Sequence, residues 1–290
     1  MNLLIIGLCG QSVFLRVSHF HRPEETLHAS DLFTEPGGKG YNQAVAAARM
    51  GASVSFCGAI GHDADGDVCE SRLIEENITP CMVRKPGRTA YAAILTDDAG
   101  ENRVTVFAGT QLNAQDVRAL EPQFTCAGIV LLTPEIPEPA FAEAMTLAAR
   151  HGVRAIINPA PYMSWVKPYL ADAWCLTPNR SEACALLCCT EEELEAQIAQ
   201  APYPRMVVTL GGNGALCLEN GVLTHIPAPH AVPVDTTGAG DCLNGVLCAR
   251  LLADDSLIDA ARAAVAAASL SVTRAHVLDA MPRADEVEVR

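Results

Sequence analysis

The chain has 290 residues, half of them hydrophobic and only 5% aromatic, which is enough to bury a substantial core in one large α/β domain and too apolar for a disordered chain. A formal net charge of -14 with no Lys/Arg-rich run disfavours a nucleic-acid partner, so an anionic ligand must meet a local positive field built from backbone N–H groups, helix N-termini or a metal. The 12 cysteines form no CxxC pair or zinc spacing, and residues 1–10 lack both a basic segment and the length of a membrane span, so the expectation is a cytoplasmic protein, without membrane association, whose thiols are small buried hydrophobes.

The run Asn2 to Ile6 ends at Gly7 and predicts a first β-strand, followed by a helix from about Gly40 to Met50 and a strand from Val54 to Ala59. The rhythm returns with a strand at Gly128 to Leu132, a helix through Ala140 to Arg150, and strands at Val153 to Ile157 and Met206 to Leu210. An apolar-periodic helix from Leu243 to Leu252 and an Ala-rich one from Ala260 to Ala268 close the pattern. Such alternation predicts a doubly wound, mostly parallel sheet flanked by helices. Two stretches, about 13–33 and 81–107, break the rhythm. Tyr91 to Thr96 and Arg103 to Phe107 alternate around Asp97, Asp98 and Gly100, which reads as a hairpin. These stretches are expected to join as a small β-sheet lid over the C-terminal ends of the main strands, where such sheets take ligands. The exposed edge of the lid also offers a contact for a homodimer.

Two glycine motifs carry chemistry. In Asp235-Thr236-Thr237-Gly238-Ala239-Gly240-Asp241, the glycines let the backbone turn tightly and aim its N–H groups at one spot, where a new helix presents its positive end. An anion hole at Gly238, Ala239 and Gly240 beside a carboxylate at Asp241 suits phosphoryl transfer, with the carboxylate taking a proton from the attacking hydroxyl. A plain glycine turn with an acidic helix start is the bland alternative. The second motif, Pro36-Gly37-Gly38-Lys39-Gly40-Tyr41-Asn42-Gln43, opens a helix and offers Asn42 to a polyol; a capping loop is its alternative. Neither GxxxxGK[ST] nor a GxGxxG after the first strand is present, so P-loop and dinucleotide-binding readings fall away.

These two motifs, with Asn158-Pro159-Ala160-Pro161, Thr177-Pro178-Asn179-Arg180-Ser181-Glu182 and Thr209-Leu210-Gly211-Gly212-Asn213-Gly214 between them, resemble in order the signatures of the ribokinase-like (PfkB) carbohydrate kinases. The resemblance covers essentially the whole chain. It implies ATP-dependent phosphorylation of a hydroxymethyl group on a sugar or sugar-like small molecule, with Asp241 as the base. Gly38, Lys39, Gly40 and Asn42 would contact the sugar hydroxyls, as would Glu135 in Thr133-Pro134-Glu135-Ile136-Pro137. Asn179 and Glu182 would sit near the phosphates and magnesium, and Thr209, Gly211, Gly212 and Gly214 would line the nucleotide cleft. Lid closure over the sugar would then exclude water.

Local alternatives stand beside these roles. Asn179 with Glu182 is also a helix-capping pattern, Thr209 to Gly214 a plain β-turn, Glu135 a solvated loop acid, and His19, His21 and His28 exposed loop histidines. The chain also departs from the family. Ribose-specific members carry an Asn and an Asp shortly after the first strand, and here that stretch reads Gly10-Gln11-Ser12, which points to another sugar or to a nucleoside as acceptor, or to a silent sensor of sugar or nucleotide. The potassium loop reads Thr273 to Ala280 and is bulkier than usual, although Asp235 and Thr237 remain as monovalent-cation candidates.

Overall fold

Apolar runs become strands and the periodic stretches between them helices in the computed structural model, which describes residues 1–287. In chain order these are β1 (Asn2–Ile6), β2 (Gly10–Arg16), β3 (Asp31–Gly37), α1 (Lys39–Arg49), β4 (Val54–Cys57), β5 (Ala59–Ile60), α2 (Ala64–Glu75), β6 (Thr79–Pro80), β7 (Val83–Arg84), β8 (Ala90–Thr96) and β9 (Asn102–Phe107). The chain continues through α3 (Ala114–Arg118), α4 (Glu121–Phe124), β10 (Ala127–Leu132), α5 (Glu138–His151), β11 (Arg154–Ile157), β12 (Cys175–Leu176), α6 (Arg180–Leu187) and α7 (Leu194–Ala199). It ends with β13 (Arg205–Thr209), β14 (Ala215–Glu219), β15 (Val222–Ile226), α8 (Ala239–Leu252) and α9 (Leu257–Ser271).

Nine strands form one sheet in the order β15-β14-β13-β12-β11-β10-β1-β4-β6, parallel except for the antiparallel edge β13-β14-β15. Successive side chains of a strand face opposite sides, and both sides are buried here. Leu3 and Ile5 enter the core covered by α1, α8 and α9, while Leu4 and Ile6 enter the one covered by α5. This explains why the central strands read as unbroken apolar runs rather than as alternation. The strand order reverses at β1, which pairs with β10 on one side and β4 on the other. A crevice opens at the C-terminal ends of strands at such a reversal.

A separate four-stranded sheet has the order β3-β2-β8-β9, with β2 antiparallel to β3 and parallel to β8. Its register places Glu35, Ser12, Ala92 and Val106 in one cross-strand row and Phe33, Phe14, Ile94 and Val104 in the next, all on one face. Its strands do not follow the stretches 13–33 and 81–107 closely. Pairing begins at Gly10 and runs to Gly37, and β7 joins β5 in a two-stranded sheet of its own. The ends of β2 and β3 lack the apolar alternation that marks a strand, yet the pairing extends through them, with Pro36, which has no N–H to donate, opposite Gln11 on an edge strand.

Candidate active site

The turn before α8 organises the site. Gly238 caps the helix at φ +77, a left-handed conformation that favours glycine, and a Cβ there would also lie 2.4 Å from Cγ1 of Val277. Helix α8 starts at Ala239, so the first-turn N–H groups of the motif point out of its N-terminal end and Asp241 sits within that first turn. Helix α1 lies tightly against α8, because Gly245 has no side chain to collide with Gln43 O, 2.3 Å from where a Cβ would be. That approach delivers two amides to one carboxylate: Asn42 Nδ2 donates to Asp241 Oδ2 at 2.9 Å and Gln43 Nε2 to Asp241 Oδ1 at 3.2 Å.

A buried polar chain extends from this contact. Gln43 Nε2 also donates to Asn158 Oδ1 (3.1 Å), Asn158 Nδ2 to Thr177 O (2.7 Å), Thr177 Oγ1 to Asn244 Oδ1, and Asn244 Nδ2 to Gly240 O (2.8 Å). The path starts at Asp241 and returns to the glycine turn, and its members Gln43, Asn158, Thr177 and Asn244 are each at most 5% exposed. A continuous amide network of this kind fixes the carboxylate and the turn relative to each other. Sequence reasoning gave Gln43 and Asn244 no role. The available signal was two amides inside otherwise apolar helical faces.

Lys39 stands among three carboxylates. Its backbone N–H donates to Glu135 Oε2 at 2.8 Å and its Nζ is 4.0 Å from Glu135 Oε1. Burial pulls the ammonium pKa down, but Asp241, Glu135 and Glu182 together outweigh it and raise the net value. Burial raises the Asp241 carboxyl against the pull of Lys39 and the two amide donors. Burial also pushes Glu135 up to about 7, so it is no solvated loop acid. Glu182 is raised by burial too, while its Oε2 accepts Asn179 N–H at 2.8 Å and Asn179 Oδ1 accepts Glu182 N–H at 2.9 Å. The capping reading of that pair is therefore present in the structure, with the carboxylate still electrostatically in reach of Lys39.

Two cavities meet at the turn. One, of about 240 Å³, is lined by Gly38, Lys39, Asn42, Glu135, Thr237, Gly238 and Asp241 below and by Ser12, Phe14, Ile94, Val104 and Val106 of the small sheet above. The other, of about 520 Å³, is lined by Thr209, Gly211, Gly212, Gly214, Thr236, Ala239 and Gly240. The Thr209 to Gly214 segment is also the turn joining β13 to β14, as its local pattern predicts. Asn179 and Glu182 line neither cavity, and Asn179 adjoins Thr209 through a parallel bridge. Gly40 is buried against Gly7 rather than in a cavity wall, although its amide faces Glu135. Asp235 lies behind the turn, accepting Thr237 N–H at 2.9 Å. Among the described residues no group of three acidic, His or Cys side chains could form a metal cage, and no helix is long and apolar enough to cross a membrane.

Residues 2–284 match the sequence profile of the pfkB family carbohydrate kinases. The chain belongs to that family. Ribokinase of Bacillus subtilis is 33% identical over 292 residues, covering 99% of this chain and 98% of that protein. The crystal structure of a ribokinase from Thermotoga maritima superposes with a TM-score of 0.88 at 29% identity, covering 99% and 97% of the two chains. A Cryptococcus neoformans ribokinase in complex with ADP superposes at 0.86 and 27% identity, covering 98% of each. As a pfkB kinase, the chain has the ribokinase fold, a large mostly parallel sheet with helices on both faces and a small sheet beside it.

Proposed function

We propose that this kinase transfers the terminal phosphoryl group of ATP to a hydroxymethyl group of a sugar or sugar-like small molecule, with Asp241 as general base. The observation that carries this reading is the position of the turn Thr236 to Asp241 as the common wall of the two cavities. The acceptor occupies the smaller cavity and the nucleotide the larger; that the nucleotide is an adenine nucleotide is supported by the fungal relative, solved in complex with ADP. The Asp241 carboxylate takes the hydroxyl proton as the oxygen attacks phosphorus. The phosphoryl group leaves ADP while the N–H groups at Gly238, Ala239 and Gly240 stabilise its charge. Lys39 adds a positive charge that three carboxylates keep protonated.

Acceptor hydroxyls have places to bond. Asn42 Nδ2 must donate to the carboxylate, which leaves Asn42 Oδ1 buried without a partner among the described residues and free to accept from a hydroxyl. Gly38, Lys39 and Glu135 complete this side, with Gly40 behind them supporting Glu135 through its amide. Thr209, Gly211, Gly212 and Gly214 hold the nucleotide, with Asn179 near its phosphates. Bound together with ATP, magnesium would supply positive charge to the phosphates. Glu182, whose Oε2 caps Asn179 N–H, would offer it an oxygen directly or through water, and a cation nearby would offset the desolvation that raises this carboxyl. Asp235 and Thr237 offer oxygens to a monovalent cation such as potassium, which would brace the turn from behind.

The small sheet acts as a lid within a single kinase domain. Its apolar wall of Phe14, Ile94, Val104 and Val106 and the absence of a carboxylate at Gly10 or Ser12 favour a second reading, a nucleoside whose base lies on that wall. Leu32 and Phe107 stand exposed on its two edge strands and favour a homodimer through the lid, which light scattering tests. The test of function is ADP release from Mg-ATP with D-ribose, 2-deoxy-D-ribose, D-fructose 6-phosphate, adenosine and inosine, each with and without KCl. Acceptor-dependent ADP identifies the substrate class. ATP binding without turnover on any acceptor overturns the kinase reading in favour of a sensor.

A further inference from the structure

From the side-chain bridge between β3 and the loop after α9, we infer that Glu35 is a positioning residue that couples occupancy of the acceptor cavity to the phosphate-binding turn. The inference rests on the proposed function of that turn. Glu35 is 6% exposed, and its two carboxylate oxygens accept the N–H groups of Val277 and Leu278, each at 3.0 Å. Two residues earlier on the same face of β3, the Phe33 ring stacks on His276 with centroids 3.6 Å apart. From the other side Arg49 donates to Leu278 O at 2.5 Å and Met281 O at 2.8 Å, while Glu76 holds its guanidinium.

The loop so gripped bears on the chemistry through one side chain. Val277 lines the acceptor cavity, and its Cγ1 lies in the space that a side chain on Gly238 would need. At the other end of the link, β3 runs from Glu35 straight into Gly37, Gly38 and Lys39, which line the same cavity. A molecule under the lid therefore presses on both ends of a bridge whose centre is Glu35 and whose output is the position of Gly238. Buried charge-assisted bonds to two successive amides make this a stiff connection rather than a loose contact.

Coupling is measured rather than inferred from rate. With whichever of the five panel acceptors turns over fastest, the native chain should bind a non-hydrolysable ATP analogue on the order of 5-fold more tightly when acceptor is present, the low end of ordinary coupling. In Glu35→Gln, calorimetry should find each ligand binding alone nearly as in the native chain and the coupling reduced toward unity. Hydrogen exchange at the Val277 and Leu278 amides should speed up. Val277→Ala provides a second route that leaves both amide bonds intact: coupling should fall while those amides stay protected. Native-like coupling in both variants, or an active native chain with no coupling, overturns this inference alone. A native chain that transfers no phosphate to any acceptor removes the proposed function and this inference with it.

Discussion

Replacing Glu135 with Gln should stabilise the ligand-free protein at alkaline pH, and the size of the gain follows from the site. Burial pushes this carboxyl from the ordinary 4.5 up to about 7, against the pull of Lys39 and with help from Asp241. A carboxyl with a raised folded-state pKa binds more protons folded than unfolded. Its contribution is therefore fully present below about pH 4.5 and is lost as pH rises through about 7. At about 1.36 kcal/mol per pH unit, that loss amounts to about 3 kcal/mol above neutrality. The side chain is 15% exposed, so solvent screens this little, whereas its contact with the 38% exposed Lys39 ammonium at 4.0 Å is worth at most about 1 kcal/mol. Glu135→Gln keeps an oxygen for Lys39 N–H and has no charge to bury. Urea unfolding should show the variant about 2 to 3 kcal/mol more stable than the native chain at pH 8.5 and equal to it near pH 4.5. A stability difference that does not change with pH would refute the reasoning, because Glu135 would then not be titrating in a buried site.

Gly238→Ala must strain a left-handed backbone, at about 1 to 2 kcal/mol, and displace Val277, at about 1 to 3 kcal/mol. It should unfold earlier in urea and lose on the order of a hundredfold in kcat by disturbing the amide donors, and a variant with native kcat would detach the turn from the chemistry. Ser12→Asp places a carboxylate in the upper wall of the acceptor cavity, opposite Glu35 and diagonal to Gly37, whose missing side chain leaves room. Selectivity for D-ribose over 2-deoxy-D-ribose, read from kcat/KM, should rise on the order of tenfold or more, as one added charge-assisted hydrogen bond implies; no change would mean that ribose hydroxyls do not face position 12.

The sheet was readable because its strands are local apolar runs buried on both faces, and the expected first strand, Asn2 to Ile6, has the observed bounds. Helix α8 starts four residues before its apolar periodicity does, since Ala239, Gly240 and Asp241 continue the helix without adding to an apolar stripe. The glycine turns and Asp241 stood out because their backbone chemistry is local. What holds them did not. Gln43 meets Asp241 across 198 residues of chain, Asn158 meets Gln43 across 115, and Glu35 meets Val277 across 242. An amide in a helix or an acid in a strand carries no mark of so distant a partner. The segments Asn179 to Glu182 and Thr209 to Gly214 show the opposite difficulty, for one set of residues serves both as cap or turn and as part of the site's surroundings.

The central claim is that Asp241 takes the acceptor proton, and Asp241→Asn tests it most directly. The substitution keeps size and nearly all packing, so Kd values for the acceptor and for Mg-ATP, measured by calorimetry, should change only a few-fold. Steady-state ADP release should show kcat lowered by about a hundred- to ten-thousandfold, the usual contribution of a general base. A variant that binds both ligands and turns over within about tenfold of the native rate would contradict the account.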